Sequence, residues 1–341
     1  MPMTRQVSLA SRPETVVLPE NFQLLDGATA PLAEGDVLVR HIYMSVDPYM
    51  RGLMNDGGVA YAPGFEIGKP LFGRVIGEVA ESRNADFREG DFVYGMLDWA
   101  DWSVARGGES LRRVDPGRAP LSYYLGTLGF PGLTAYVGMM MIGKPKEGET
   151  VYVSAASGAV GQVAGQLARI AGARVVGSAG SDEKVRFITG ECGFHDGFNY
   201  RIAPTVLEAL RLHCPEGIDV DFENVGGENL DAVLAHANSF ARLAVCGMIS
   251  QYNLAEPYHL KHVNEIVSKR LNVQGFVVRD HAHLIEQFID ETAGHIADGR
   301  IAVEEDVVQG LENAPAAFIG MLAGENFGKR VVQVSPDPTV G

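Results

Sequence analysis

The sequence is poor in cysteine and carries more negative than positive charge. Its 341 residues include three cysteines, Cys192, Cys214 and Cys246, which lie far apart and form no CxxC pair. This spacing argues against a disulfide framework and favours a reducing compartment. The formal net charge of -15 argues against a nucleic-acid partner, which would require a basic face.

Long apolar runs are missing as well. The N-terminus, MPMTRQVSLASRP, has no apolar core of signal-peptide length, and glycine and proline interrupt the most apolar window, residues 126–143. We interpret that window as a buried connection and helix, not as a membrane span. Together with the cysteine usage, these features predict a cytoplasmic protein.

The pattern of predicted secondary structure changes along the chain, and this change predicts two domains. From about residue 37 to 114, short alternating strands with Gly and Asp between them predict a mostly antiparallel β domain. Residues 55–68 form a glycine- and proline-rich segment that we interpret as a mobile loop. From about residue 126, apolar strands alternate with helices, which predicts a parallel sheet covered on both faces. The predicted helices are residues 160–171, 183–189, 204–213, 229–237 and 282–297, and the predicted closing strand is 329–334.

A glycine turn stands between the first strand and the first helix of this parallel region. Ala155, Gly158 and Gly161 are spaced as in the dinucleotide fingerprint, with alanine in place of its first glycine. Gly158 allows close approach of a pyrophosphate and Gly161 allows the helix to pack on the sheet, where its N-terminus attracts the anion. Simple space-saving is the alternative. The alanine indicates a less tight turn at that position.

The end of the second strand bears on the choice between NAD and NADP. No carboxylate occupies residues 177–181, where an NAD site would hold the ribose hydroxyls. We interpret Asp182 and Glu183 as the first turn of the next helix, capped by Ser181. The loop, including Ser178, offers donors for a 2′-phosphate, and Lys184 offers a cation. Arg174 is a competing cation that we expect to face solvent, and Lys184 could also be an ordinary helix lysine.

With these motifs and those that follow, the sequence resembles the zinc-independent medium-chain dehydrogenase/reductases. It is most similar to the branch of prostaglandin reductase, leukotriene B4 12-hydroxydehydrogenase and bacterial curcumin reductase. The motifs span nearly the whole chain and are specific in combination. They are SVDPYMR (45–51), GFPGLTAY (129–136), AASGAVG (155–161), GSDEK (180–184), FNY (198–200), ENVGG (223–227), CGMISQYN (246–253), GFVV (275–278), ENAPAAF (312–318) and NFGK (326–329).

The resemblance implies an α/β protein whose GroES-like β domain is formed by both chain ends, with an inserted Rossmann domain. We expect residues 1–128 and 306–341 to form the β domain on the substrate side, and residues 129–305 to bind NADPH. Carried over by position, Lys184 and Tyr200 would hold the 2′-phosphate. The pyrophosphate would contact Ser157, Gly158, Ala159 and Val160. The remaining coenzyme residues would be Ser178, Asn224, Cys246, Gly247, Met248, Ile249, Ser250, Gln251, Tyr252, Phe276, Val277, Val278 and Asn326.

The predicted chemistry is reduction of a carbon–carbon double bond conjugated to a carbonyl. Residues 1–150 hold no cysteine and one histidine, His41, so the zinc ligands of alcohol dehydrogenases are missing there. We predict no metal site, and we expect His281 and His283 to face solvent. Enone reduction needs no metal, because hydrogen-bond donors can meet the charge that develops on the carbonyl oxygen. The hydride would come from NADPH, and the α-carbon proton from tyrosine or water.

Tyr252 is the first candidate for that donor, because it follows a strand at the carboxyl side of the sheet. The alternative for Tyr252 is packing on the ribose. Tyr61 is the second catalytic candidate and, with Tyr49, a substrate contact. Arg51 is expected to be structural, and Asn224 could instead be a turn residue.

Two other functions remain open from the sequence: a quinone oxidoreductase of the same superfamily and a non-enzymatic NADPH-binding redox sensor. The predicted partners are a small-molecule enone or enal and, from the family, a second copy of the chain. Residues 271–278 would then pair edge to edge across the dimer.

Overall fold

The computed structural model describes residues 1–108 and 111–340, and the chain separates into two compact units. Both chain ends contribute to the first unit, and the second is inserted between them, which confirms the predicted fold class. The first unit consists of Met1–Leu125, Glu305–Asn326 and Arg330–Gly341, and the second of Gly126–Glu304 and Phe327–Lys329.

The first part of the chain forms short antiparallel strands, as the alternating pattern predicts. They are β1 Met3–Leu9, β2 Phe22–Ala28, β3 Val37–Ser45, β4 Phe72–Ser82, β5 Phe92–Asp98, β6 Trp102–Ala105 and β7 Leu111–Arg113, with a helical turn, α1, at Met50–Leu53. β1 pairs with β2 as a separate ribbon, and β3, β4, β5 and β7 follow one another in the larger sheet. The inward residues of this sheet pack around Trp99, which is fully buried.

The second unit alternates helices and strands. Its elements are α2 Phe130–Tyr136, β8 Thr150–Val153, α3 Gly161–Ile170, β9 Arg174–Ala179, α4 Asp182–Gly190, β10 Asp196–Asn199, α5 Val206–His213, β11 Ile218–Glu223, α6 Gly227–His236, β12 Ala237–Val245, α7 Glu265–Ser268, β13 Asn272–Gly275 and α8 Ile285–Ala297. A π-helical turn, Val137–Gly143, follows α2, so the apolar window 126–143 is a buried helical segment. None of the helices in residues 1–108 and 111–340 is long and apolar enough to cross a membrane.

Within the described residues, the strands of this unit form a six-stranded parallel sheet in the order β10-β9-β8-β11-β12-β13. This is the 3-2-1-4-5-6 order of doubly wound dinucleotide-binding folds, whose connections reverse direction between β8 and β11. Val151 and Val153 of β8 face the apolar cluster that includes α3, and Tyr152 faces the cluster with α5 and α6. Both faces of the sheet are therefore buried, which explains why its strands are so apolar.

The chain then returns to the first unit through β14 Glu305–Gln309, α9 Ala314–Leu322 and β15 Lys329–Gln333. Val331 pairs with Ser45 and Gln333 with Tyr43, so β15 joins β3. The predicted closing strand is thus confirmed as part of the antiparallel sheet. The predicted helices are also found; the last begins at Ile285 because Val278–Leu284 form 3-10 turns.

Candidate functional site

The glycine turn after β8 is tighter than the sequence suggests. Ala155 adopts a left-handed conformation with φ 47°, so the expected relaxed turn is wrong at this residue. Two hydrogen bonds fix the turn: Ala156 N–H donates to Ser178 O at 2.9 Å, and Gly158 N–H to Ala155 O at 3.0 Å. A Cβ on Gly161 would lie 2.4 Å from Ala155 O, so only glycine lets α3 start this close to the turn.

The helix behind this turn is held by two buried glutamines that sequence reasoning missed. Gln162 hydrogen-bonds both the N–H and the carbonyl of Glu304, and Gln166 those of Ala302, at 2.7–3.1 Å. Gly328 forms an isolated parallel β-bridge with Gly158. A Cβ on Gly328 would lie only 2.2 Å from Glu304 O, so there is no room for a side chain at this position. The first turn of α3 is thus held at a fixed place at the sheet edge, and the N–H of Gln162 donates to Gly158 O at 3.0 Å.

The end of β9 forms a cradle that suits a phosphate. A Cβ on Gly180 would lie 3.1 Å from Tyr200 Oη and 3.3 Å from Arg201 Nε, so a phenol and a guanidinium border the space over this glycine. Ser181 caps α4 by accepting from Lys184 N–H at 3.3 Å, which places Lys184 in the first turn. Hydroxyl, phenol and cationic donors together fit the 2′-phosphate of NADPH.

Arg201 is a residue that the sequence interpretation did not single out. Its only signal was adjacency to Tyr200, and nothing in the local pattern distinguishes it from a solvated arginine. The nearby acid Asp182 lies in the first turn of α4, and its side chain accepts a hydrogen bond from Asn199 Nδ2 at 2.8 Å. Arg174 lies at the opposite, amino end of β9 and pairs with Asp196 at 3.8 Å. It is therefore remote from the cradle.

The loops after β11 and β12 are hydrogen-bonded to each other. Asn224 Nδ2 donates to Ser154 O at 2.7 Å, and Cys246 Sγ donates to Asn224 Oδ1 at 2.9 Å. Burial raises the pKa of the Cys246 thiol, so it remains an S–H donor. Ile249 N–H reaches Asn224 O, and Ser250 N–H and Oγ both reach the carbonyl of Val225. The predicted coenzyme residues 246–251 thus share one layer with Asn224, at the point where strand order reverses.

Tyr252 follows the short 3-10 turn Ile249–Gln251 in this layer. The backbone N–H of Met248 donates to its hydroxyl oxygen at 3.3 Å, and a Cβ on Gly247 would lie 3.3 Å from the same oxygen. The ring therefore folds back over its own loop. This contact uses the phenol oxygen as an acceptor, so the phenol's own proton remains its donor.

The other predicted coenzyme residues occupy different settings. Phe276 and Val278 pack against the apolar core, and a Cβ on Gly138 would lie 2.8 Å from the Phe276 ring. Val277 precedes the 3-10 turns before α8. Asn326 is the last residue of its segment in the first unit.

Tyr49 and Tyr61 both belong to the first unit. Tyr49 precedes α1, and its buried hydroxyl has no hydrogen-bond partner among the described residues. Burial is the main cause that raises the pKa of the Tyr49 hydroxyl. The charge of Asp47 raises this pKa further, and Tyr61 contributes least. Arg51 is buried and donates to Thr15 O and Asn55 Oδ1, both at 2.7 Å, as expected of a structural residue.

Tyr61 lies at the tip of residues 55–68, the segment that the sequence predicts to be a mobile loop. Val59 and Ala62 exchange two backbone hydrogen bonds of 3.0 Å around it, and Tyr61 itself is 42% exposed. The neck of this loop is narrow, because a Cβ on Gly58 would lie 2.3 Å from Gly64 N. Phe65 then anchors the loop in the core at 1% exposure. The tip thus presents a tyrosine on a backbone that is closed at its base.

No cluster of three or more His, Cys, Asp or Glu side chains is arranged for a metal ion within residues 1–108 and 111–340. His281 and His283 lie in the turns before α8 with ring centroids 6.3 Å apart.

Comparisons with known proteins match both parts of the chain. Residues 5–114 match the family described as the N-terminal domain of oxidoreductase, and residues 159–294 the family described as zinc-binding dehydrogenase. The chain is 44% identical to an NADP-dependent 2-alkenal reductase of Nicotiana tabacum, over 89% of each sequence. It is 42% identical to the NADPH-dependent curcumin reductase of Escherichia coli, over 98% of this chain and 97% of the relative. The structure of CurA from Vibrio vulnificus in complex with NADPH superposes with a TM-score of 0.92 at 40% identity, covering 98% and 100% of the two chains.

Proposed function

The chain belongs to the zinc-independent medium-chain dehydrogenase/reductases, in the branch of the alkenal, curcumin and prostaglandin reductases, and on that premise we propose that it uses NADPH to reduce the carbon–carbon double bond of α,β-unsaturated ketones and aldehydes. The observation that carries this proposal is the likeness over nearly the whole chain to reductases of such compounds. The cradle at Gly180 agrees with it, because a phenol and a guanidinium suit a 2′-phosphate.

Bound NADPH supplies the hydride that is added to the β-carbon of the substrate. We propose that Tyr252 donates a hydrogen bond to the carbonyl oxygen, where negative charge develops during the reaction. With an ordinary pKa of about 10, tyrosine is protonated at neutral pH. Such a donor lowers the barrier by about 3 kcal/mol, which is on the order of a hundredfold in rate. Tyr61 is the second catalytic candidate, and Tyr49 and Tyr61 would contact the substrate.

The test is a steady-state assay of the purified protein with NADPH and a panel of enones and enals, followed by loss of NADPH absorbance. We expect turnover, and we expect Tyr252→Phe to lower kcat on the order of a hundredfold. Tyr258→Phe is the matched control, because the Tyr258 hydroxyl lies 3.5 Å from Asp231 instead. Full activity of Tyr252→Phe would remove the catalytic role of this tyrosine.

The same assay separates the alternatives. Turnover of quinones with no turnover of enones would indicate a quinone oxidoreductase. NADPH binding without turnover of either would indicate a redox sensor. The likeness to the quinone oxidoreductase of Escherichia coli, at 17% identity, supports the shared fold alone.

Coenzyme selection is proposed to reside at the end of β9, where Lys184, Tyr200 and Arg201 would hold the 2′-phosphate. We expect Lys184→Gln, Tyr200→Phe and Arg201→Gln each to weaken NADPH binding and to leave NADH binding unchanged, as measured by calorimetry. Arg211→Gln, an exposed arginine on α5, is the control. The other proposed coenzyme contacts are Ser157, Gly158, Ala159, Val160, Ser178, Asn224, Cys246–Tyr252, Phe276, Val277, Val278 and Asn326.

We propose that the protein is a cytoplasmic homodimer, with residues 1–128 and 306–341 on the substrate side and residues 129–305 binding the coenzyme. The four residues of β13, at the end of the parallel sheet, are exposed, and Val273 is apolar. Two copies would pair β13 with β13. Light scattering should show a dimer that Val273→Asp dissociates. Val307→Asp, on the strand at the end of the other sheet, should leave it intact.

A further inference from the structure

A fully buried carboxylate lies where the strand order of the parallel sheet reverses. Glu223, the last residue of β11, accepts four hydrogen bonds. Its Oε1 accepts from Ser154 Oγ at 2.7 Å, from Val225 N–H at 2.6 Å and from Gly226 N–H at 3.1 Å, and its Oε2 from Asn229 Nδ2 at 2.8 Å. Both oxygens therefore serve as acceptors in this network.

The first branch of this network leads to Asn224. The Ser154 hydroxyl lies closer to Glu223, at 2.7 Å, than to Phe222 O, at 3.3 Å, so its proton is directed to the carboxylate. Its oxygen is then available to accept the N–H of Asn224 at 2.8 Å. The Asn224 carboxamide has one possible orientation, because the Ser154 carbonyl can only accept and the Cys246 thiol donates to Oδ1. The second Nδ2–H of Asn224 is left as its donor.

The second branch leads to Ser178, at the end of β9. Asn229 Nδ2 donates to Glu223, so Asn229 Oδ1 can only accept, and Tyr152 Oη donates to it at 2.7 Å. Tyr152 has a single hydroxyl proton, so Ser178 Oγ must be the donor in their 2.7 Å contact. Every proton of this branch points toward Glu223. Ser178 O also accepts Ala156 N–H, which connects the branch to the glycine turn.

We propose that Glu223 is a positioning residue for coenzyme binding: as the common acceptor of both branches, its carboxylate holds the ends of β8, β9, β11 and β12 in the arrangement that presents Asn224 to NADPH. The inference rests on the proposed function, because it takes Asn224 as a coenzyme contact. It explains why a polar residue that is closed off from solvent ends β11 and begins the ENVGG motif.

The test compares NADPH binding with the stability of the free protein. Glu223→Gln keeps the size of the side chain but replaces one acceptor oxygen by a donor, which faces Asn229 Nδ2 and forces the second branch to reverse. Ser154→Ala cuts the first branch next to Glu223. We expect each variant to raise the NADPH Kd at least tenfold, measured by calorimetry, while circular dichroism shows a folded protein.

The double variant separates a shared network from two independent losses. Because both substitutions act through the same contact, the Kd of Glu223→Gln/Ser154→Ala should rise by less than the product of the single changes. Asp221→Asn is the matched control: it lies two residues away on β11, is equally buried, and has no side-chain hydrogen-bond partner among the described residues. We expect its NADPH Kd to stay within twofold of the wild type.

Several results would overturn the inference. An NADPH Kd within twofold of wild type in Glu223→Gln and Ser154→Ala, with lower melting temperatures, would make Glu223 merely structural. Equal weakening by Asp221→Asn would do the same. If Glu223→Gln does not fold, Ser154→Ala decides the question. A wild-type protein that fails to bind NADPH would instead overturn the proposed function, and this inference with it.

Discussion

Two buried carboxyl groups, one in the middle of β11 and one at its end, differ in their hydrogen bonding. Asp221 and Glu223 are both fully buried and lie on the same face of the strand. Glu223 accepts hydrogen bonds from four groups, whereas both oxygens of Asp221 have no partner within residues 1–108 and 111–340. Burial, and then the charge of Glu223, raises the pKa of Asp221 well above its ordinary value.

This difference shows where a parallel sheet can carry a buried charge. In the middle of the strand, the neighbouring N–H groups are engaged in the sheet, and Asp221 lies between Tyr152 of β8 and Leu243 of β12. At the strand end the chain turns, which releases the N–H groups of Val225 and Gly226 to the carboxylate. A buried carboxylate is thus stabilised at the end of β11, where donors are available, and is disfavoured in the middle of the strand. Nothing in the described structure explains why residue 221 is an aspartate.

The largest effect is expected when the two positions are made apolar in turn. Glu223→Leu would leave the donors of Val225, Gly226 and Asn229 without this acceptor, and Ser154 with only its longer contact to Phe222 O, and should lower the free energy of unfolding by about 3–5 kcal/mol. Asp221→Leu removes a carboxyl that has no hydrogen-bond partner in the part of the chain that the structure describes, and it should be neutral or stabilising. Urea unfolding at pH 7 measures both. Equal losses at the two positions would break the comparison.

A buried base in the first unit extends the comparison to the opposite charge. Burial lowers the pKa of His41 from 6.5 to about 4. Below pH 6.5 the imidazole of His41 is protonated in the unfolded chain but stays neutral in the folded protein. The free energy of unfolding therefore decreases as the pH falls toward 4. The shift corresponds to about 3 kcal/mol at its full extent. His41→Leu should lose less stability than wild type between pH 7 and pH 4.5 in urea unfolding; parallel losses would contradict the assignment.

A smaller effect is expected from neutralising Asp221. Because its folded pKa is raised above 3.8, the folded protein binds the proton more tightly, and stability falls as the pH rises through the interval between the unfolded and the folded pKa. Asp221→Asn removes this penalty and should raise the free energy of unfolding at pH 8, as measured by urea unfolding. The gain over wild type should shrink at pH 4. A gain that does not depend on pH would show that ionisation is not its cause.

The smallest effect concerns the strand end next to Glu223. Ala155 holds a left-handed conformation that disfavours residues with a side chain by about 1–2 kcal/mol. Glycine would relieve this strain but would give the unfolded chain more freedom, at a cost of about 0.5–1 kcal/mol. Ala155→Gly should therefore change the free energy of unfolding by less than about 1 kcal/mol, in the stabilising direction. Ala156→Gly, at a residue without positive φ, should destabilise instead.

Much of the fold was predictable because its signals are local. Alternation in residues 37–114, the strand–helix sequence after residue 126 and the cap at Ser181 each depend on neighbours along the chain. The conformation of Ala155 was not predictable, because the turn is fixed by the hydrogen bond from the next residue, Ala156, to Ser178 O on another strand. Arg201 was missed for the same reason: its distance to Gly180 depends on the pairing of β10 with β9.

The sequence by itself determined the order of elements, the place of the glycine turn, the absence of an acid at the end of β9 and the absence of cysteine in residues 1–150. In the run IDVDFENV, however, Asp221 and Glu223 are alternate acids with the same local pattern. Only the tertiary structure decided that Glu223 is surrounded by donors, whereas Asp221 has none among the described residues. The donors come from Ser154, some 70 positions earlier, and from the turn into α6, and parallel pairing brings them to one end of the strand alone.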